Sequence, residues 1–157
     1  MGVEFLLEDI EYINTLSVLD YNKLRESAGW GPVKENRAQI GLDNSAFILA
    51  AKHSDGRTVG MARVVSDGGY VVYISDVVVL PEFQGRGIGK KMMQMVMDYI
   101  NSTTEDDFTI MVTLVSAKGR ESFYNQFGFI TRPSEKYGAG MFQWINKNSF
   151  GGGSDDK

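Results

Sequence analysis

Cysteine is absent from the 157 residues, and histidine occurs once, as His53. The first absence removes disulfides, thiolate metal sites and cysteine nucleophiles together. The second rules out histidine-based metal clusters and leaves Ser-His-Asp catalysis a single ring to run through. No metal site is expected. Long apolar runs are missing too, and nothing approaches the roughly 20 residues that span a bilayer. The opening Met1-Gly2-Val3-Glu4-Phe5 has no basic start and no extended apolar stretch, so it does not read as a signal peptide. Gly2 is not a myristoylation site, because Leu6 stands where Ser or Thr is required. Basic residues are outnumbered: 16 Lys and Arg against 20 Asp and Glu leave a net charge of −4. A mildly acidic chain is a poor candidate for wrapping nucleic acid or an anionic membrane, so neither is expected as a partner. A cytoplasmic setting is the default that these absences leave.

Hydrophobic residues make up 43% and charged residues 23%, which is the balance of a globular chain with a real core. One domain over residues 1–148 is expected, followed by a flexible polar tail over 149–157 that ends Gly151-Gly-Gly-Ser-Asp-Asp-Lys157. Apolar patterning predicts strands at Val3–Glu8, Ala46–Lys52, Thr58–Ser66, Tyr70–Leu80 and Phe108–Val115, with late strands at Phe129–Thr131 and Met141–Asn146. Helices are predicted over Leu16–Ala28, Asn36–Leu42, Gly87–Ile100 and Arg120–Phe127. The third of these carries Ile88, Met92, Met95, Val96 and Tyr99 along one face. Strands joined by tight turns, followed by strand–helix–strand crossovers, imply a mixed α/β (α+β) sheet with helices on its faces.

The most informative segment is Gln84-Gly85-Arg86-Gly87-Ile88-Gly89-Lys90, which joins the longest strand to the longest helix. Its glycines allow a sharp turn and close approach of a ligand to the main chain. The first N–H groups of a helix lack internal partners, and the helix dipole adds positive character there. Together these features make an anion site suited to a pyrophosphate, with Arg86 and Lys90 adding charge. Two better-known phosphate loops fail on spacing. Gly89-Lys90 is followed by Lys91 instead of Ser or Thr, and Gly85-x-Gly87-x-Gly89 is not Gly-x-Gly-x-x-Gly.

The stretch Asp76-Val-Val-Val-Leu-Pro-Glu-Phe-Gln-Gly-Arg-Gly-Ile-Gly-Lys-Lys91 strongly resembles the acyl-CoA site of the GNAT superfamily of N-acetyltransferases. Gln84, Gly87 and Gly89 match that family's Gln/Arg-x-x-Gly-x-Gly/Ala signature, and Val79 and Pro81 match the strand end before it. A second block, Phe123-Tyr-Asn-Gln-Phe-Gly-Phe129, is similar to the family's late Phe-Tyr-x-x-x-Gly-Phe motif. The resemblance implies the GNAT fold, a mixed central sheet splayed at its long fourth strand and flanked by helices. It implies acetyl-CoA as co-substrate, with pantetheine along the backbone of Val77, Val78 and Val79. The pyrophosphate would lie on the N–H groups of Gln84, Gly85, Arg86, Gly87, Ile88, Gly89 and Lys90. Ala117 departs from many relatives, which have an Asn that contacts the pantetheine. Dimers are common in the family, and a homodimer is an expectation that rests on that alone.

Acetyl transfer to an amine needs a neutral amine, a stabilised oxyanion and a proton for the departing thiolate. No covalent enzyme intermediate is required, which suits a chain without cysteine. The resemblance makes Tyr124 the general acid; without it, aromatic packing beside Phe123 and Phe127 is the plainer reading. Asp76 interrupts an apolar strand, so its carboxylate needs a partner or a purpose. It reads as a base toward the substrate ammonium, an anchor for it, or a structural hydrogen-bond acceptor. His53, before a polar turn, is expected at the surface. The acceptor is expected among the early helices, the central strands and the last strands, with Trp30, Tyr73, Arg132, Tyr137 and Met141 as candidate contacts. A small-molecule amine is the first expectation, a protein lysine or N-terminus the second, and a non-catalytic acyl-CoA sensor the third.

Overall fold

The computed structural model describes residues 9–146. The expected strand at Val3–Glu8 and the tail at 149–157 lie outside the described residues. Two compact units divide between Ala117 and Lys118. In the first unit the order is β1 (Ile10–Ile13), α1 (Val18–Ser27), α2 (Glu35–Asp43), β2 (Phe47–His53), β3 (Thr58–Ser66), β4 (Val71–Val79), a one-turn 3-10 helix at Pro81–Phe83, α3 (Ile88–Thr103) and β5 (Met111–Leu114). The second unit contributes α4 (Glu121–Asn125).

The strands form one five-stranded sheet in the order β1-β2-β3-β4-β5. The first four run antiparallel to their neighbours, and β5 is parallel to β4. This is the mixed sheet that the sequence predicts, because tight turns allow antiparallel neighbours whereas the crossover through α3 forces a parallel one. Alternation along β3 sends successive residues to opposite faces. Gly60 faces α3, where a Cβ would meet Met92 at 3.2 Å. Met61 faces the other way, into a cluster with Tyr21 and Leu24 of α1, Ala38 and Leu42 of α2, and Val78 of β4. Helices therefore cover both faces, and β3 and β4 lie at the centre.

Helix α1 starts at Ser17, whose hydroxyl accepts from the Asp20 N–H at 3.1 Å. It stops before Gly29, which takes a left-handed φ of 78°. Helix α3 buries Ile88, Met92, Met93, Val96 and Ile100. Met93 replaces Met95 in the expected stripe, and Tyr99 instead stacks on Phe47 with ring centroids 4.2 Å apart.

The strand that pairs with β2 among the described residues is Ile10–Ile13, a short segment where the sequence predicts none. Two expectations need correction. The late strands Phe129–Thr131 and Met141–Asn146 are irregular backbone. Their composition favours strands, but β-propensity measures fit to a paired, half-buried surface. Met141 and Trp144 are 95% and 91% exposed, so that surface is missing here. His53 is buried, at 9% exposure, rather than at the surface. Its Nδ1 lies 3.0 Å from Asp55 Oδ2, and its ring packs edge-on to Phe83 at 5.1 Å.

The close approach of α3 to Gly60 gives a stability test. Besides Met92, a Cβ there would meet the Val78 carbonyl oxygen at 3.3 Å. Gly60→Val should cost about 1–3 kcal/mol through overpacking and lower Tm by several degrees. A melting curve at wild-type Tm would mean that α3 does not bear on this point.

Candidate active site

The feature that organises the site is a fork in the sheet. β5 pairs with β4 from Val71↔Met111 to Ile74↔Leu114 and no further. β4 continues to Val79, paired with β3 alone among the described residues. The edge from Ser75 to Val79 thus faces away from β3 with no strand beside it. Buried backbone N–H and C=O groups require partners, so such an edge invites an extended ligand. Val77, Val78 and Val79 lie on this stretch. Gln84 satisfies one group, its Nε2 donating to the Val79 carbonyl at 2.9 Å.

The glycine loop comes directly after this strand and its one-turn helix. Gly85 and Gly87 have φ of 74° and 82°, the left-handed region that side chains disfavour. Gly87 is the N-cap of α3 and supplies no side-chain acceptor, and no acidic residue occupies the first turn. The first bond back to it runs from Lys91 N to Gly87 O at 3.0 Å. The N–H groups of Ile88, Gly89 and Lys90 consequently have no intrahelical acceptor. Arg86 folds back, its Nη2 donating to the Glu82 carbonyl at 2.8 Å and its guanidinium lying 5.0 Å over the Phe83 ring. Lys90 is exposed.

Asp76 sits beside the fork, and its surroundings answer one question left open by the sequence. Arg25 Nη1 donates to Oδ1 at 3.1 Å, while Arg63 Nε and the Tyr21 hydroxyl donate to Oδ2 at 2.9 and 3.1 Å. The side chain is 8% exposed. Both carboxylate oxygens thus already accept hydrogen bonds from the chain's own side chains, three in all. Of the three readings of Asp76, base, anchor or structural acceptor, these contacts favour the structural one. Burial, and then the charge of Asp76, raise the Tyr21 and Tyr73 phenols above their ordinary value, so both stay protonated at neutral pH.

Sequence reasoning missed the residues that hold Asp76. A signal was present, because Arg63 interrupts an apolar β3 as Asp76 interrupts β4. Opposite charges stranded in neighbouring apolar strands are candidates to pair. Trp30 joins the same region: Arg25 lies 5.5 Å over its ring, and Arg25 Nε donates to the Gly31 carbonyl at 3.1 Å. Tyr73 lies on the doubly paired part of β4, opposite Val65 and Thr113.

In the second unit, Tyr124 is half-buried on α4 among aromatic rings, 5.0 Å from Phe123 and 6.4 Å from Phe129. Arg132 and Tyr137 come together, with the guanidinium 5.7 Å over the ring and Nε donating to the Gly138 carbonyl at 2.6 Å. Met141 projects from this loop region into solvent. No group of three or more metal-ligating side chains occurs among the described residues.

Comparison with known proteins agrees with this geometry. The family model described as acetyltransferase (GNAT) domain matches residues 25–144. An uncharacterized N-acetyltransferase, ycf52, from Porphyra purpurea is 32% identical over 132 residues, covering 81% of this chain and 74% of its own. Histone acetyltransferase TAP1 of Glycine max is 30% identical over 142 residues, covering 83% of this chain and 58% of that protein. Among solved structures, a probable acetyltransferase from meticillin-resistant Staphylococcus aureus, SA2161, superimposes with a TM-score of 0.76 at 31% identity. That match covers 87% of this chain and 99% of the other. A mixed sheet that forks beside a glycine-capped helix is thus the scaffold of an acyl-CoA-dependent acetyltransferase. The chain belongs to the GNAT family.

That family uses acetyl-CoA, and the residues present fit it. Uncapped helix N–H groups suit its pyrophosphate, and the open β4 edge suits its amide-bearing arm. Gly87→Val would force a β-branched residue into left-handed backbone at the mouth of α3. Titration calorimetry should find CoA affinity reduced at least about tenfold in a folded variant, which corresponds to losing about 1.4 kcal/mol of binding. Wild-type affinity would remove the loop from the CoA site.

Proposed function

We propose that this acetyltransferase moves an acetyl group from acetyl-CoA directly to the primary amine of a small molecule: an amino sugar, a polyamine, an arylalkylamine or an amino-acid-like compound. The observation that carries the transfer chemistry is the fork between β4 and β5, opening next to the uncapped N-terminus of α3. The small acceptor is supported by the Gly29–Gly31 turn. Arg25 pins this turn at the Gly31 carbonyl, and it presents Trp30, 36% exposed, as a fixed aromatic rim. A protein lysine or N-terminus is the second reading, favoured by the likeness to histone acetyltransferase TAP1.

Acetyl-CoA supplies the activated thioester. The chain's own part is to bind, orient and protonate. The N–H groups of Ile88, Gly89 and Lys90 hold phosphate oxygens, and the β4 backbone from Val77 to Val79 aligns the arm. Tyr124 donates its phenolic proton to the departing sulfur. Asp76 takes no proton in this scheme, so the acceptor ammonium loses its proton to bulk water. A cytoplasmic setting belongs to the same reading, and none of the described helices is long and apolar enough to cross a membrane.

Thiol release from acetyl-CoA, measured across a panel of amino sugars, polyamines, arylalkylamines, amino acids and lysine peptides, tests the acceptor class. Small amines should give the higher kcat/KM; exclusive turnover of peptides would favour the second reading. Tyr124→Phe should keep the fold and the acetyl-CoA affinity while kcat falls about 10- to 1,000-fold, the range for a lost general acid with a good leaving group. The loss should shrink with a donor whose thiol is more acidic. A stable variant with unchanged single-turnover rate would remove Tyr124 from the chemistry.

A further inference from the structure

We infer that Asp76, Arg25 and Arg63 form a positioning device that fixes the course of β4 where it leaves β5; the inference rests on the acetyl-transfer reading and extends it to Arg25 and Arg63, which lie outside the family's motifs. Three observations coincide at one point of the strand. First, Asp76 has a φ of 54°, left-handed backbone inside a strand and unusual for a residue other than glycine. Secondly, the pairing with β3 slips there: Met61 opposes Val78 and Arg63 opposes Ser75, so two steps on β3 span three on β4. The extra residue is a β-bulge over Asp76 and Val77, a device that bends a strand and re-aims the residues beyond it. Thirdly, the last bridge to β5 is at Ile74, two residues earlier.

A left-handed residue next to a missing neighbour persists only where its surroundings over-determine it. The surroundings here are charge-assisted hydrogen bonds from two elements. Tyr21 and Arg25 reach Asp76 from α1, and Arg63 reaches it from β3. Both arginines are held in turn. Arg63 Nη1 donates to the Gly41 carbonyl and the Ser45 hydroxyl, each at 3.2 Å, at the end of α2. Arg25 Nε donates to the Gly31 carbonyl beside Trp30. One network thus ties the bulge to the turn that carries the proposed acceptor rim. Misplacement by an ångström at such a site is costly to a reaction that depends on alignment. Asp76 and the two arginines are positioning residues on this view, acting through the backbone of Val77 to Val79.

Arg63→Gln and Arg25→Lys test the device without touching the bulge residue. Amide hydrogen exchange of the free protein, resolved along β4, is the readout that needs neither substrate. Residues 75–79 should exchange about tenfold faster in either variant, while residues 72–74, paired on both sides, keep wild-type protection. Where acetyl transfer is measured, kcat should fall at least about tenfold with the pH–rate profile unchanged in shape. Calorimetric CoA affinity should fall by a smaller factor than kcat, since the phosphate site is left whole and only the seat of the arm on Val77 to Val79 loosens. Asp76→Asn, which tolerates left-handed backbone and keeps one acceptor oxygen, should retain more kcat than Asp76→Ala. Uniform loosening of the whole sheet, or a lowered Tm with unchanged exchange at 75–79 and unchanged kcat, would reduce the cluster to an ordinary buried ion pair and overturn the inference. Loss of the acid limb of the profile in Asp76→Asn would overturn it too and restore Asp76 as a base. If wild-type protein consumes no acetyl-CoA with any amine, the transfer reading fails, while the exchange result still reports on the bulge. Should Arg63→Gln not fold, Arg25→Lys carries the same comparison, because its charge is kept.

Discussion

Backbone hydrogen bonding along β4 is the constraint on which the rest of the structure depends. Val72 to Ile74 pair with β3 on one side and β5 on the other, and from Ser75 onward one side lacks a strand among the described residues. Main-chain polar groups are obligatory hydrogen-bonding groups, so a half-paired strand at the centre of a sheet needs a reason. A ligand with its own amides supplies one. The same geometry explains the sequence of the strand. Val72, Ile74 and Val78 are buried and sustain the core, while the edge remains available to bind. Packing and the proposed binding would therefore draw on different atoms of the same residues, the side chains and the main chain of Val77-Val78-Val79.

The electrostatics of the site run against the net charge of the chain. With an overall charge of −4, acidic residues dominate in number, yet the α3 N-terminus has no carboxylate in its first turn. Close to the fork, one aspartate meets two arginines, leaving the cluster one positive charge in excess. Net charge governs solubility and long-range steering, while the local field decides what a cleft accepts. A buried pair of this kind contributes little net stability, because desolvation offsets most of the attraction. Its value lies in geometry: removing either partner strands the other, so the three side chains and the elements that bear them must move together. Arg25 spans α1 and the Gly29–Gly31 turn, and Arg63 spans β3 and the end of α2.

Much of this was legible in the sequence where local rules decide. Thr58–Ser66 and the strand after it arise from β-branched runs between turn signals, and the glycine loop from its position between strand and helix. Features that depend on tertiary partners were not legible. Ile10–Ile13 is a strand because β2 lies beside it; its own pattern, with Glu11 in the middle, is weak. Met141–Asn146 shows the converse, a strand-like composition that pairs with no strand among the described residues. Asp76 stands out of place in an apolar run, but its left-handed φ has no sequence signature, since aspartate occupies that region only where its surroundings hold it. The burial of His53 was hidden for a similar reason: the turn Ser54-Asp55-Gly56-Arg57 is polar, yet Phe83, distant in sequence, covers the ring.

The fate of His53 and Asp76 bears on how such a chain can catalyse anything. Both are the kinds of residue from which a base is usually made, and both are engaged. The imidazole is held against Asp55, whose own pKa is lowered to about 2 by hydrogen bonds from the Arg57 N–H and His53. The Asp76 carboxylate is clamped by arginine and tyrosine. With cysteine absent as well, neither a covalent nucleophile nor a free carboxylate or imidazole base is at hand among the residues singled out. Direct transfer from a thioester asks for less. The acyl group arrives activated, the thiolate leaves readily, and the amine is a strong nucleophile once neutral. On the proposed reading, what remains for the protein is to hold two reactants in line and to supply a weak acid for the leaving sulfur. The motif resemblance gives the second task to the Tyr124 phenol, and a strand with one open edge, bent at a fixed point, is suited to the first. The proposed reaction thus makes its first demands on backbone geometry, which suits a chain without cysteine and with one histidine.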